Sequence, residues 1–240
     1  MNRRRSLIAA IVAGGLLIGA AGIGFVYFVV FAGSSPQKLA LSSPTPSTSG
    51  ATATPSSTLG PGTWSVTTGS QAGYRVREQL ASLPAPSDAV GRTSAVTGTL
   101  TLAQTASGYS VTAASVTVDV SKLSSDKAMR DRRIHSQGLQ SDRYPTATFQ
   151  LATPIALPAE AASGQTIHVS AIGALTLHGV TKTVTIPIDA RLTGSQIELA
   201  GSITFPFSEF GMTPPSIGGF VTVQDNATME FQVVLAQQGA

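Results

Sequence analysis

The densest chemistry in the chain lies between Lys122 and Tyr144, where Arg130, Asp131, Arg132 and Arg133 stand side by side although only 11% of all residues are charged. An arginine fork pairs bidentately with phosphate or carboxylate, so Arg130 and Arg133 are candidates for a rim that receives an anionic lipid head. A helix that pairs Asp131 internally and leaves the arginines solvated is the plainer reading. His135, His168 and His178 are isolated from one another in sequence, and there is no cysteine. Zinc needs three or four ligands at matched geometry, so neither a metal nor a cofactor is expected. No Gly-x-Ser-x-Gly elbow, phosphate loop or His-Glu-x-x-His occurs, which argues against an enzyme.

Such groups need elements to position them, and the first lies at the N-terminus. Arg3, Arg4 and Arg5 precede a run from Leu7 to Ala32 with no charged residue. As a helix rising about 1.5 Å per residue, the run reaches roughly 39 Å and exceeds a hydrocarbon core of roughly 30 Å. A transmembrane signal anchor over 7–32 is expected, with residues 1–6 cytoplasmic because the arginines precede it. The protein would then sit in the cell membrane as a single-pass protein with its C-terminal domain extracytoplasmic. Secretion after cleavage near Val30-Phe31-Ala32 is the alternative. Gly15 and Gly19 have the spacing that lets two membrane helices pack, which leaves a homodimer open.

Residues 33–62 are dominated by Ser, Thr, Pro, Ala and Gly and are expected to form a disordered linker, since they cannot bury enough apolar surface to fold. The formal charge of +3 belongs to this N-terminal region, because 11 basic residues face 12 acidic ones from Thr63 onward. A nearly neutral domain at 63–240 is a poor match for nucleic acid, and none is expected as a partner.

Within 63–240, apolar and polar residues alternate with the period of strands that bury one face. Ile167, Val169, Ala171, Gly173, Leu175 and Leu177 share one face. Val184, Ile186, Ile188, Ala190 and Leu192 share a face of the next run, with His178-Gly179 in the turn between them. In that turn the His178 imidazole is expected to hydrogen-bond backbone and fix the bend. Runs from Ile197 to Phe207 and from Met229 to Leu235 follow, and others at 63–68, 73–80, 94–103, 109–120 and 146–152 bring the total to about nine. Only 124–137 reads as a helix, with Ser124 or Ser125 as N-cap and Gly138 as its stop. So many strands with so little helix point to an all-β fold, an antiparallel barrel of about eight strands. Ala171, Gly173, Ala190 and Gly201 interrupt the inward faces, where small side chains either leave room for a ligand or mark a taper.

Four segments occur in a telling order: Arg130-Asp131, Tyr144-Pro145 through Phe149, Leu175-Thr176-Leu177-His178-Gly179-Val180-Thr181-Lys182, and Phe210-Gly211. In these, and over about 63–238, the sequence resembles the YceI-like family, the lipid- and polyisoprenoid-binding proteins of bacterial envelopes. The resemblance implies an extended antiparallel barrel of lipocalin type whose long tunnel takes an isoprenoid or fatty chain. Where many members carry a histidine near the second strand, this chain reads Tyr74-Arg75-Val76-Arg77-Glu78. The ligand-binding residues expected on this basis are Phe149, Val169, Ala171, Leu175 and Leu177, with Val184, Ile186, Ile188, Phe205 and Phe231.

The function that follows is sequestration or transport of a polyisoprenoid or other lipid in the cell envelope, without catalysis. The alternative is a structural or interaction domain with a filled barrel core that presents loops to an envelope partner. The loop from Thr213 to Gly219 is either part of a tunnel mouth or a plain connection.

Overall fold

The two-residue period of the sequence is met by strands that bury every second side chain. The computed structural model describes residues 35–43, 59–81, 86–106, 108–217 and 221–238. Among them β1 (Gly62–Val66), β2 (Gln71–Leu80), β3 (Ser87–Thr93), β4 (Val96–Thr105), β5 (Gly108–Asp119) and β6 (Thr146–Leu151) come first. They are followed by β7 (Ile155–Ala156), β8 (Ile167–Leu177), β9 (Val180–Thr193), β10 (Gln196–Phe205), β11 (Ser216–Ile217) and β12 (Val221–Gln237). All belong to one antiparallel sheet. β1 and β2 run end to end along β12, β3 and β4 lie beside them, and β6 and β7 follow β5. With each interrupted strand taken as one stave, eight staves close into a barrel, because β12 pairs with β10 on one side and with β1 and β2 on the other.

Two strand features were not readable from the period. β3 presents Ala89, Gly91 and Thr93 inward, all small, and the Tyr74 ring lies over Gly91. β12 extends eight residues upstream of Met229, through polar residues and a shift in register between Val223 and Ala227. Conversely, the Ile197 run stops at Phe205. Pro206 ends the strand and Phe207–Phe210 winds into a short helical turn.

The expected helix over 124–137 is corrected to a single turn and a half, α1 (Ala128–Arg133), which runs on into a wider turn at Ile134–Gly138. Neither Ser124 nor Ser125 caps it; Lys127 holds the N-cap position without a side-chain bond. Ser124 instead pairs its backbone with Arg92. The Ser125 amide and hydroxyl both donate to the Asp131 carboxylate, at 2.9 and 2.6 Å, which holds the preceding chain outside the helix.

The expected membrane segment at 7–32 lies outside the described residues, and so do Gly15 and Gly19 and, in the 213–219 loop, Gly218 and Gly219. Among the described residues no helix is long and apolar enough to cross a membrane. Gln37–Ala240 forms one compact unit. Part of the 33–62 stretch lies on its outer wall. Arg92 donates to the Gln37 carbonyl, and the Ser42 amide and hydroxyl both reach Glu198 at 2.6 Å. Arg191 donates to the Ser42 carbonyl at 2.6 Å. On the same wall Glu230 pairs with Arg92 at 3.0 Å and with Arg75 at 3.4 Å, so the buried carboxylate is compensated.

The apolar interior divides into two clusters. One gathers Trp64, Leu102, Val111, Leu192, Ile197 and Leu235. The other gathers Val120, Leu177, Phe205, Phe207, Phe210 and Met212 at the end crossed by α1.

Candidate binding cavity

Within the first cluster, and reaching Ala147, Leu175 and Ile186 of the second, the inward faces are incompletely filled. Val116 and Val118 on β5, Phe149 on β6, Val169 on β8, Ile188 on β9 and Leu199 on β10 point inward yet stay only half-buried. Large apolar side chains with accessible inner surface border empty space, here a cavity of about 170 Å³. That is close to the roughly 150 Å³ of an engineered dry cavity able to take up benzene. Its wall follows β8 from Ile167 to Leu175. At about 3.3 Å per residue and a strand tilt of about 40°, this stretch spans roughly 20 Å, so the cavity is long and narrow. The polar residues along it are Thr99, Thr148, Gln165, Arg191 and Glu230. Arg191 and Glu230 spend their charges on the outer wall, where Arg191 pairs with Glu198 at 2.9 Å.

Of the residues expected to bind a ligand, Phe149, Val169, Leu175, Ile186, Ile188 and Phe231 line this cavity. Ala171, Leu177, Val184 and Phe205 are buried in the wall or in the second cluster and do not border it. Gly173 and Gly201 do not leave room for a ligand: a β-carbon on either would fall within 3 Å of the Phe149 or the Phe231 ring, which lies across it. The two aromatics occupy the space that the glycines vacate.

Other lining residues were missed. Ala114, Val116 and Val118 belong to the run at 109–120, but Thr112 is an extra residue opposite the Thr101–Leu102 step, and this bulge reverses which parity faces inward. Leu157, Ala161 and Gln165 lie between strands, where no periodicity marks them.

Buried aromatic side chains plug the bore at two levels, neither of them bordering the cavity. At one, Trp64 is 1% exposed and donates its indole N–H to the Gly60 carbonyl at 3.1 Å. At the other, Phe210 is fully buried, with its ring edge-on to Phe205 at 4.7 Å. A latch holds this second plug. His178 and Gly179 form the two-residue turn between β8 and β9, with φ of 52° and 75°. The His178 Nδ1 lies 3.1 Å from the Phe210 carbonyl, and the Tyr144 ring packs on the imidazole at 4.6 Å. Because a carbonyl can only accept, Nδ1 carries the proton, and Nε2 is buried without a partner among the described residues.

Arg130 and Arg133 lie at this plugged end, and neither borders the cavity. Arg130 pairs with buried Glu78 at 2.6 Å and with Asp126. Burial works against its charge, but these two carboxylates outweigh burial and hold the guanidinium above its ordinary pKa. Arg133 donates to Gln137 at 2.9 Å beside a shallow surface hollow shared with Met129 and Arg132. Nearby, burial pushes the Tyr74 hydroxyl well above the ordinary tyrosine value. Among the described residues no cluster of three or more His, Asp or Glu side chains could hold a metal.

The profile of the YceI-like domain matches residues 64–235. A polyisoprenoid binding domain from Saccharophagus degradans, implicated in plant cell wall breakdown, has the same fold at a TM-score of 0.55 and 15% identity, covering 74% of this chain and 99% of that one. BcnA of Burkholderia cenocepacia aligns at a TM-score of 0.49 and 20% identity over 68% of this chain and 95% of its own. The YCEI protein of Campylobacter jejuni aligns at 0.49 and 13% over 62% and 84%. No curated protein matches the sequence. The four motifs, the eight-stave barrel and the match over 64–235 agree, and the chain belongs to the YceI-like family.

Proposed function

We propose that the barrel binds the apolar chain of a lipid, isoprenoid or fatty, and that it sequesters or carries this lipid without making or breaking bonds. The observation that carries the reading is the half-buried inner face of Val116, Val118, Val169, Ile188 and Leu199 around an apolar cavity. Each 100 Å² of chain withdrawn from water there contributes about 2.5 kcal/mol. The narrow bore favours a single chain over a fused-ring lipid. That a structural neighbour is described as polyisoprenoid-binding supports the same class of ligand. On this reading the segment at 7–32 keeps the barrel at the outer side of the cell membrane, close to its lipids.

Organic extraction and native mass spectrometry of the Gln37–Ala240 unit, purified without detergent, test the binding. A copurifying lipid at one per barrel is expected; its repeated absence, with no uptake of added fatty acid or farnesol, would overturn the reading. The intact mass of the mature protein from the membrane fraction tests the anchor, which requires residues 7–32 to be present.

A further inference from the structure

Trp64 and Phe210 fill the bore without bordering the cavity, and the strand pairing shows where the wall that does border it is incomplete. β6 follows β8 only from Thr148↔Thr176 to Leu151↔Gly173, with one more bond from the Ala152 amide to the Ile172 carbonyl. Beyond that point the backbone bonding between the two edges stops, although β7 still runs beside β8. β7 stays with β5 through Val111↔Ile155 and Ser110↔Ala156, and the Leu157 amide continues along β5 to the Tyr109 carbonyl at 2.9 Å. On the facing edge, residues 167–171 of β8 have no backbone partner from 153–166 among the described residues. Pro154 and Pro158 lack an amide proton, so this stretch has two fewer donors with which to close the gap.

From these observations we infer that the gap between β7 and the first half of β8 is a lateral slit through which the lipid chain passes. The inference rests on the proposed lipid binding and adds the route. Ile155, Leu157, Ala161, Ile167 and Val169 line the cavity at this gap. Gln165 borders the cavity and is also exposed to solvent, which marks the boundary between the two. The turn Ala159–Ser163 sets buried Ala161 against the opening and ends at Gly164, in the left-handed region at φ 75°. A slit in the wall lets a chain slide in sideways while its polar head stays in water, so the charge-poor interior never has to desolvate that head.

The test is stopped-flow loading and release of cis-parinaric acid, a fluorescent fatty acid, on the Gln37–Ala240 unit, which holds every described strand and both core clusters. Ala156→Trp places a bulky group on the β7 side of the slit and Thr166→Trp on the β8 side, at exposed positions that do not border the cavity. Met129→Trp, at an exposed position on α1 over the plugged end, is the control. A gate slows passage in both directions, so either slit variant is expected to load and release about tenfold more slowly with its Kd within about twofold of native. The control should match the native unit. Uptake with native rates in both slit variants, or slowing by Met129→Trp instead, would overturn the slit and leave lipid binding standing. Weakened affinity with unchanged release and a lower plateau would mark the substituted position as a contact and also overturn passage there. Absence of uptake by the native unit would remove the binding function and the slit together.

Discussion

The plugged end beneath α1 and the cavity beside it are built from the same alternating strands but differ in what the inward positions hold. At the plugged end Phe205, Phe207 and Phe210 fill the bore, and His178, Tyr144 and the Glu78–Arg130 pair tie the covering segments down. In the cavity Val116, Val118, Val169 and Ile188 are too small to meet across it. Most of the family's motif residues therefore gather where the barrel is closed, and of the motif segments only Ala147 to Phe149 and Leu175 reach the cavity. The rest of the cavity wall is mainly valine, isoleucine and leucine that no motif distinguishes. The motifs report chiefly how the fold is sealed, and the shape of the cavity is set largely elsewhere.

That division can be broken most forcefully at Phe210. Phe210→Ala removes a fully buried ring and should destabilise the barrel by about 3–5 kcal/mol in denaturant titration. A change below about 1 kcal/mol would mean that the bore collapses readily there and the plug is not distinct from the cavity. Next in size is Glu78→Ala, which strips a buried carboxylate from Arg130 while leaving it Asp126. The expected loss is about 2 kcal/mol, with lipid uptake retained. Uptake lost along with stability would place the ion pair in the binding site.

On the cavity side the expected pattern is reversed. Ile188→Phe fills empty space, so stability should change by less than about 1 kcal/mol while affinity for a fatty acid falls about tenfold, equivalent to about 1.4 kcal/mol. Equal affinity in the variant would mean that the chain does not pass Ile188. The smallest effect lies outside both regions, at Ser42. Burial pushes the Glu198 carboxyl up, but hydrogen bonds from the Ser42 hydroxyl and amide, Gln232 and Arg191 outweigh it and hold the pKa below the ordinary value. Because the folded value is the lower one, the contribution is present at neutral pH. It fades as pH falls below the ordinary glutamate value of about 4.3 and through the folded one. Hydrogen exchange, corrected for its intrinsic rate, should show the Ser42 amide protected at neutral pH and released in acid before the barrel strands open.

Much of the wall was legible because burial of one strand face imposes a period of two. The runs at 167–177 and around 183–192 needed little more than that rule, and the turn between them is marked by His178-Gly179. The rule failed at β3, where the inward residues are small and Tyr74 of the neighbouring strand covers Gly91. It failed again at β5, where one extra residue reversed the parity. For the site, periodicity pointed to Val169, Ile186 and Ile188 but could not separate them from Ala171, Val184 and Leu177, which share the same faces. Whether an inward side chain meets a neighbour or a void depends on the opposite stave, and the opposite stave is distant in sequence.

By itself, then, the sequence determined that this is an antiparallel all-β barrel, nearly neutral from Thr63 onward and free of cysteine, with its family written in four motifs. Those properties follow from local alternation and composition, which need no partner to be read. The tertiary structure alone decided that Arg130 is spent on Glu78, that Phe149 and Phe231 lie across glycines, and that β7 pairs with β5 without a backbone bond to β8. Each of these depends on which strands become neighbours when the barrel closes, and closure brings together residues far apart in sequence.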